Sequence, residues 1–365
     1  MRAVSLYIHI PFCKRRCPYC TFYHVPHTNE YEDAFIDALV AELERAAREI
    51  DEPFYAPTVF LGGGTPSTLG PQSLARIFDA IAPYLQGDRE AEITLEMNPE
   101  DVTAGLVSDL EHLGVNRVSL GIQSMSDRAL RVLRRCTADA NRYAIERVSR
   151  RFDNFSVDLL LGVPGGSSRE LDDTLSAVLA HRPPHVSLYC LEPDENMERA
   201  VRDFLDTVDA ESAADEYLLA CDRLRRQGHR HYEVSNFARP GYESRHNHTY
   251  WDGSEYLGIG PGAHSFIAGQ RFHNEPSIEL YLRTAATIRL RRRDLRDEAQ
   301  RELETLMLAL RTSRGLTLER LSCPPHVPRE LVKQGLAGCH GDRLVLTDRG
   351  YLLLNDILFR LTQAA

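Results

Sequence analysis

Lysine is nearly absent from this chain: Lys14 and Lys333 are the whole supply, and arginine carries the remaining positive charge. We attach no function to that bias. Basic residues number 43 against 53 acidic ones, a formal charge of −10, so no global cationic field gathers a polyanion, which argues against nucleic acid as the primary partner. No run approaches the roughly 18–20 uninterrupted apolar residues of a membrane helix, and the opening MRAVSLYIHIPF lacks a signal-peptide layout. The expectation is a cytoplasmic protein that is not an integral membrane protein. Eight cysteines in 365 residues are too few for a disulfide scaffold, and tryptophan occurs once. Neither an internal repeat beyond strand–helix alternation nor a low-complexity tract is found.

What is present is an ordinary globular balance, 43% apolar and 26% charged, with 23 Gly and 19 Pro. At ~150 residues per domain, the length suggests two domains or one large barrel with an appendage. Short β-rich runs alternate with helical periods: strands at 5–10, 57–62, 92–97, 117–123, 155–162 and 185–193, helices at 31–50, 71–85, 103–112, 127–149 and 168–180. Asn29 is placed to cap the first helix, in which Phe35, Leu39 and Leu43 recur at four-residue spacing, and Gly114 to close the helix containing Leu110.

Parallel strands with helical crossovers form an open doubly wound sheet or a barrel. The unusual residues fall after strand ends, which favours a partial (β/α)6 barrel. Beyond residue 195 the rhythm breaks into a helix at 210–227, a strand around HYEVSNF and an irregular Gly- and aromatic-rich stretch through 266. From about 297 a small winged-helix-like α+β appendage is expected, preceded by RLRRRDLR at 289–296, read as a solvated connector. The predicted organisation is 1–195, a barrel; 196–296, its extension; and 297–365, the appendage.

Cys13, Cys17 and Cys20 form C-x3-C-x2-C directly after the first strand. With cysteine at about 2%, that pattern arises by chance about 0.3% of the time. No second pair follows at zinc-finger spacing, so iron and sulfide fit better than zinc. Three thiolates on a loop bent by Pro11 and Pro18 leave one iron of a 4Fe-4S cube open to a cofactor. Cys136, Cys190, Cys221, Cys323 and Cys339 are scattered and read as packing residues.

The segment YIHIPFCKRRCPYCTF resembles the cluster segment of radical S-adenosylmethionine (SAM) proteins of the anaerobic coproporphyrinogen III oxidase family. The resemblance implies a 4Fe-4S cluster on Cys13, Cys17 and Cys20 whose open iron chelates SAM. After the second strand comes Gly62-Gly63-Gly64-Thr65-Pro66, a loop whose backbone can approach a ligand closely. It matches the family's GGGTP motif, with Gly63, Gly64 and Thr65 as cofactor-binding positions. The resemblance further implies Tyr7 near SAM and substrate, Tyr19 against adenine, Glu96 on SAM, and polar cofactor positions at Gln123, Arg135 and Asp158 on the fourth strand, its following helix and the fifth strand. Read as residues alone, Glu96 and Asp158 are carboxylates in apolar, strand-like settings that need a partner or solvent.

Residues 245–251 read Arg-His-Asn-His-Thr-Tyr-Trp. Two histidines beside the sole tryptophan suit a flat aromatic ligand, with imidazole as an axial donor to heme iron. The plain alternative is a pair of hydrogen-bonded loop histidines. His246, Asn247, Tyr250 and Trp251 match HN-x-x-YW, the mark of the HemW-type heme-chaperone branch. That branch also fits Phe22, which stands where the oxidase carries a fourth cysteine.

The implied function is a heme chaperone that takes up heme and passes it to an acceptor such as a respiratory enzyme, with room for peripheral membrane contact and a homodimer. His246 is the first candidate axial ligand, His248 the second, and His264 a distant third that could instead close the SAM pocket. The other reading is an oxygen-independent coproporphyrinogen III oxidase. A third is radical cleavage or alkylation of a tetrapyrrole or another substrate.

Overall fold

The structure, a computed structural model, describes residues 1–365 except 86–89, 207–209, 286–290, 322 and 363–365. Six parallel strands stand side by side in chain order: β1 (Ser5–Ile10), β2 (Thr58–Gly63), β3 (Glu92–Met97), β4 (Arg117–Gln123), β5 (Phe155–Leu161) and β6 (His185–Cys190). Their crossovers carry α1 (Asn29–Arg48), α2 (Pro71–Ile81), α3 (Ala104–His112), α4 (Asp127–Val132) with α5 (Ala138–Ser149), and α6 (Ser168–Leu179). Near-continuous burial along β1, β3 and β5 is what a parallel sheet covered on both faces requires. Phe35, Leu39 and Leu43 of α1 are fully buried in the core, each worth about 1.5–3 kcal/mol of apolar burial. The partial (β/α)6 barrel is therefore present.

Residues 196–296 continue the same sheet at both edges. After α7 (Arg199–Leu205) and α8 (Ala210–Arg226), the hairpin β7 (Arg230–Glu233) and β8 (Asn236–Ala238) pairs antiparallel with β6. Past α9 (Arg245–Asp252), β9 (Tyr256–Ile259) joins parallel to β1. The antiparallel strands β10 (His264–Ile267), β11 (Gln270–Asn274) and, after α10 (Ile278–Thr284), β12 (Arg291–Asp294) complete the edge. The C-terminal part runs α11 (Glu298–Leu310), β13 (Leu316–Thr317), α12 (His326–Lys333), β14 (Ala337–His340), β15 (Arg343–Leu346), α13 (Asp348–Leu352) and α14 (Leu354–Thr362), with a separate three-stranded sheet. This helix–strand–helix–hairpin order is winged-helix-like.

Several local expectations need correction. Thr28, not Asn29, is the cap position of α1. The helix expected over 127–149 is two helices, because Arg134 takes a left-handed φ of 52° between them. The supposedly irregular stretch before 266 holds α9 and two strands. The arginine run is an edge strand rather than a connector, with its first two residues, 289–290, outside the described ones; Arg292 pairs with Glu275. Charged side chains of this kind discourage edge-to-edge pairing. Cys221 and Cys323 are buried as packing predicts, but Cys190 and Cys339 are exposed. Gly114 does close α3, with φ 88° and its N–H on Glu111 O at 3.1 Å.

Candidate cluster and cofactor site

The loop after β1 is held shut at its base: Val25 N donates to Pro11 O at 2.8 Å and His27 N to Cys13 O at 3.0 Å. Between those ties Cys13, Cys17 and Cys20 all face one cavity of about 330 Å³ at the C-terminal ends of the barrel strands. Burial pushes the Cys13 thiol up to about 11 and raises Cys20 as well, an effect that a bound metal would reverse.

The glycine loop forms the opposite wall, packed too closely for side chains. A Cβ on Gly64 would lie 2.7 Å from Ile10 O and Pro11 C, and one on Gly62 would lie 2.8 Å from Glu96 Oε2. Gly63 has a left-handed φ of 103°, and a Cβ there would enter the His9 ring. Its N–H donates to Glu96 Oε2 at 3.1 Å. Burial and the neighbouring Asp158 push the Glu96 carboxyl up to about 8. Asp158, raised chiefly by burial, accepts from Ser119 Oγ at 3.0 Å.

A polar chain ties the wall to the cysteines. Asn98 Nδ2 donates to Thr65 Oγ1 at 3.0 Å, Arg135 Nη2 donates to Asn98 Oδ1 at 2.6 Å, and Arg135 Nη1 lies 3.7 Å from Cys17 Sγ. Arg135 stands in the break between α4 and α5, not on the helix where the sequence placed it. Gln123 closes β4 with a strained φ of 67° where the register with β5 slips. Tyr19 lines the same cavity. Asn98 and Ser119 escaped the sequence reading; Asn98 carried a signal in its place directly after the third strand, beside Glu96.

The cavity thus combines three thiols free of disulfides, a cradle that tolerates no Cβ, and two half-buried carboxyl groups. That donor set fits a 4Fe-4S cluster with one ligand position open beside a small zwitterion.

Tyr7 lies deeper. With His246, Asn247 and Tyr250 it lines a second cavity of about 260 Å³ inside the barrel, which shares Glu96, Ser119 and Asp158 with the first. Helix α9 forms its floor. Ser244 Oγ accepts from Asn247 N at 3.2 Å, and the Glu92 carboxylate accepts from Arg245 N and His246 N at 3.0 and 2.9 Å, neutralising the helix's free amides. His246 is fully buried, with Nδ1 on Thr58 Oγ1 at 2.7 Å and Nε2 on Tyr250 OH at 2.9 Å; burial lowers it to about 3. Both of its ring nitrogens are thus hydrogen-bonded within the protein in this structure. Trp251 lines neither cavity, and its Nε1 is buried without a partner. His248 faces away, half-buried, onto a third cavity of about 710 Å³ at the N-terminal ends of the strands, lined also by Tyr232, Arg245 and Arg314. His264 is exposed and stacks on His273 at 4.9 Å rather than closing the cluster cavity.

A partial barrel with a three-cysteine loop and glycine cradle at its strand ends is the architecture of the radical SAM superfamily, whose family model matches residues 7–178. The chain is 34% identical to the heme chaperone HemW of Lactococcus lactis over 97% of its own length and 96% of that protein's. It is 36% identical to the heme chaperone HemW of Mycobacterium tuberculosis, over 97% and 93%. The chain belongs to the HemW family of radical SAM proteins. Among solved structures, the coproporphyrinogen III oxidase HemN of Escherichia coli shares the fold, with a TM-score of 0.83, 20% identity and coverage of 99% of this chain and 90% of that one. A 4Fe-4S cluster and SAM are the cofactors this family implies. No described helix is long and apolar enough to cross a membrane.

Proposed function

We propose that this protein is a heme chaperone: it holds heme at α9 and delivers it in the cytoplasm to heme-requiring acceptors such as respiratory enzymes. In this reading Cys13, Cys17 and Cys20 are the cluster ligands. Tyr19, Gly63, Gly64, Thr65, Glu96, Gln123, Arg135 and Asp158 hold SAM, and Tyr7 sits beneath it. Residues 1–195 carry that machinery, 196–296 the heme segment, and 297–365 the winged-helix-like appendage. A bound cluster and SAM supply one-electron reduction of a sulfonium.

The observation that carries the reading is the setting of His248. Its imidazole makes no hydrogen bond among the described residues and opens on about 710 Å³ of space. Ligand sites run roughly 300–1,000 Å³, so this cavity admits a porphyrin where the inner one, at about 260 Å³, does not. Burial lowers the His248 pKa, keeping the neutral form that ligates iron. Arg245 and Arg314 line the same cavity, among Glu90, Glu92 and Glu243, and are the groups there that suit propionates. Of the motif residues, His246 and Tyr250 anchor the helix that presents His248, through the hydrogen bonds Thr58–His246–Tyr250.

Anaerobic heme titration followed by the Soret band tests the proposal. A stoichiometric band lost in His248→Ala and kept in His246→Gln supports it; a band kept in His248→Ala overturns the assignment of the heme to this cavity. No band in the unaltered protein, or formation of protoporphyrinogen IX from coproporphyrinogen III and SAM, overturns it.

A further inference from the structure

Arg117 heads the fully buried side chains by size, at 2% exposure. It opens β4 and points into the inner cavity of about 260 Å³. Its Nε is buried without a hydrogen-bond partner, and among the described residues its guanidinium makes neither a hydrogen bond nor an ion pair within 4 Å. A guanidinium taken out of water without a close counter-charge costs several kcal/mol, so an arginine in that state is unusual unless something else completes it. Glu96 and Asp158 stand on the same cavity but outside pairing distance. Other unfinished groups converge there. His185 uses Nε2 on Tyr232 OH at 2.9 Å and leaves Nδ1 buried and unpartnered, and the Asn247 side-chain amide bonds to no described residue.

We infer that the inner cavity binds a carboxylate, held by the Arg117 guanidinium and flanked by His185 and Asn247. A planar guanidinium pairs a carboxylate through two parallel N–H bonds, which satisfies at once the donors left open here. A phosphate dianion fits less well, because Glu96 and Asp158 would face its extra charge. The volume admits a small acid or a single side arm, not a macrocycle. Two sources share this chemistry: a free short-chain acid lying beneath the SAM pocket, or one propionate of a tetrapyrrole seated at the cluster end of the barrel, opposite the His248 cavity, and reaching in past Phe22 and Tyr189, which line both the inner and the cluster cavities. The second source rests on tetrapyrrole binding as proposed above, but at the cluster end and not at His248; the first is independent of it.

The test uses the full chain with its cluster reconstituted anaerobically. Propionate and succinate are compared with propionamide by calorimetry and by melting temperature, and heme with heme dimethyl ester by Soret titration. Acids that bind at least tenfold more tightly than the amide, with the difference lost in Arg117→Met, support the inference with a free acid as source. A tenfold preference for heme over its ester, lost in the same variant, supports it with the propionate arm as source. Loss of a buried cation can unsettle the fold, so Asn247→Ala is measured alongside, with acid binding expected to weaken about threefold. Equal binding of acid and amide, together with equal binding of heme and ester, overturns the inference. The chaperone reading would survive that result, since it is scored by the Soret band itself.

Discussion

Thr65 Oγ1 lies 3.4 Å from Cys13 Sγ and so couples the glycine loop of β2 to the first cysteine of the β1 loop. The direction of the bond follows from its neighbour. Asn98 Nδ2 donates to the same oxygen at 3.0 Å, which leaves the threonine proton free to point at sulfur. Donors aimed at a ligating sulfur raise a cluster's reduction potential. Thr65→Val is therefore expected to retain full iron and sulfide while shifting the potential negative. An EPR-monitored redox titration reads the shift, and an unchanged potential would remove Thr65 from the cluster's environment.

Glycine is required in the loop by proximity, and at the end of α9 by conformation. At Gly64 an added methyl meets backbone atoms of Ile10 and Pro11 that cannot swing aside, so Gly64→Ala is expected to cost about 2–3 kcal/mol and to lower cluster occupancy. Gly253 ends α9 at φ 75° with nothing within 4 Å of its notional Cβ. Gly253→Ala should cost only about 1 kcal/mol, through backbone strain alone. Urea unfolding of both variants separates the cases; equal losses would mean the β1–β2 approach is looser than these distances imply.

Much of this arrangement is legible from residue order. The strands at 5–10, 92–97 and 117–123 fall on the expected residues, because doubly covered parallel strands are written as short apolar runs between breakers. The cysteine spacing and GGGTP need no structure to be seen. Helix α9 is different: His, Asn, Tyr and Trp give no apolar period, and its first turn is fixed by Glu92, 153 residues earlier in the chain. The break after α4 contains neither Gly nor Pro. Nothing in the sequence singles out Arg117 at its strand start; only closure of the barrel turns it inward.

Burial of titratable groups predicts how stability follows pH. His246 is held to about 3 against an ordinary 6.5. Between those values the unfolded chain takes a proton that native His246 refuses, so stability falls as pH drops below about 6.5. Glu233 runs the other way, raised by burial from 4.5 to about 7. Its contribution is complete below 4.5 and is lost as pH rises through 7. Denaturant unfolding across this range should show both arms, with His246→Gln flattening the acid one and Glu233→Gln the alkaline one. Arms of unchanged slope in these variants would assign the pH dependence to other groups.

Strain at Gln123 offers a test of what the pocket demands of the fold. Its φ of 67° is costly for any side chain other than glycine, and it falls where β4 leaves its register with β5 and the side chain enters the cluster cavity. Gln123→Gly should relieve about 1 kcal/mol while removing a polar wall group. The expected result is a melting temperature equal to or above that of the parent and SAM affinity at least tenfold lower. Arg182 is the control. It too is left-handed, at φ 53°, but just beyond the end of α6, where such a turn merely ends the helix. Arg182→Gly should give the same relief and leave SAM binding untouched. If the two variants behave alike in calorimetric SAM titrations, the strain at Gln123 belongs to the barrel and not to its ligand.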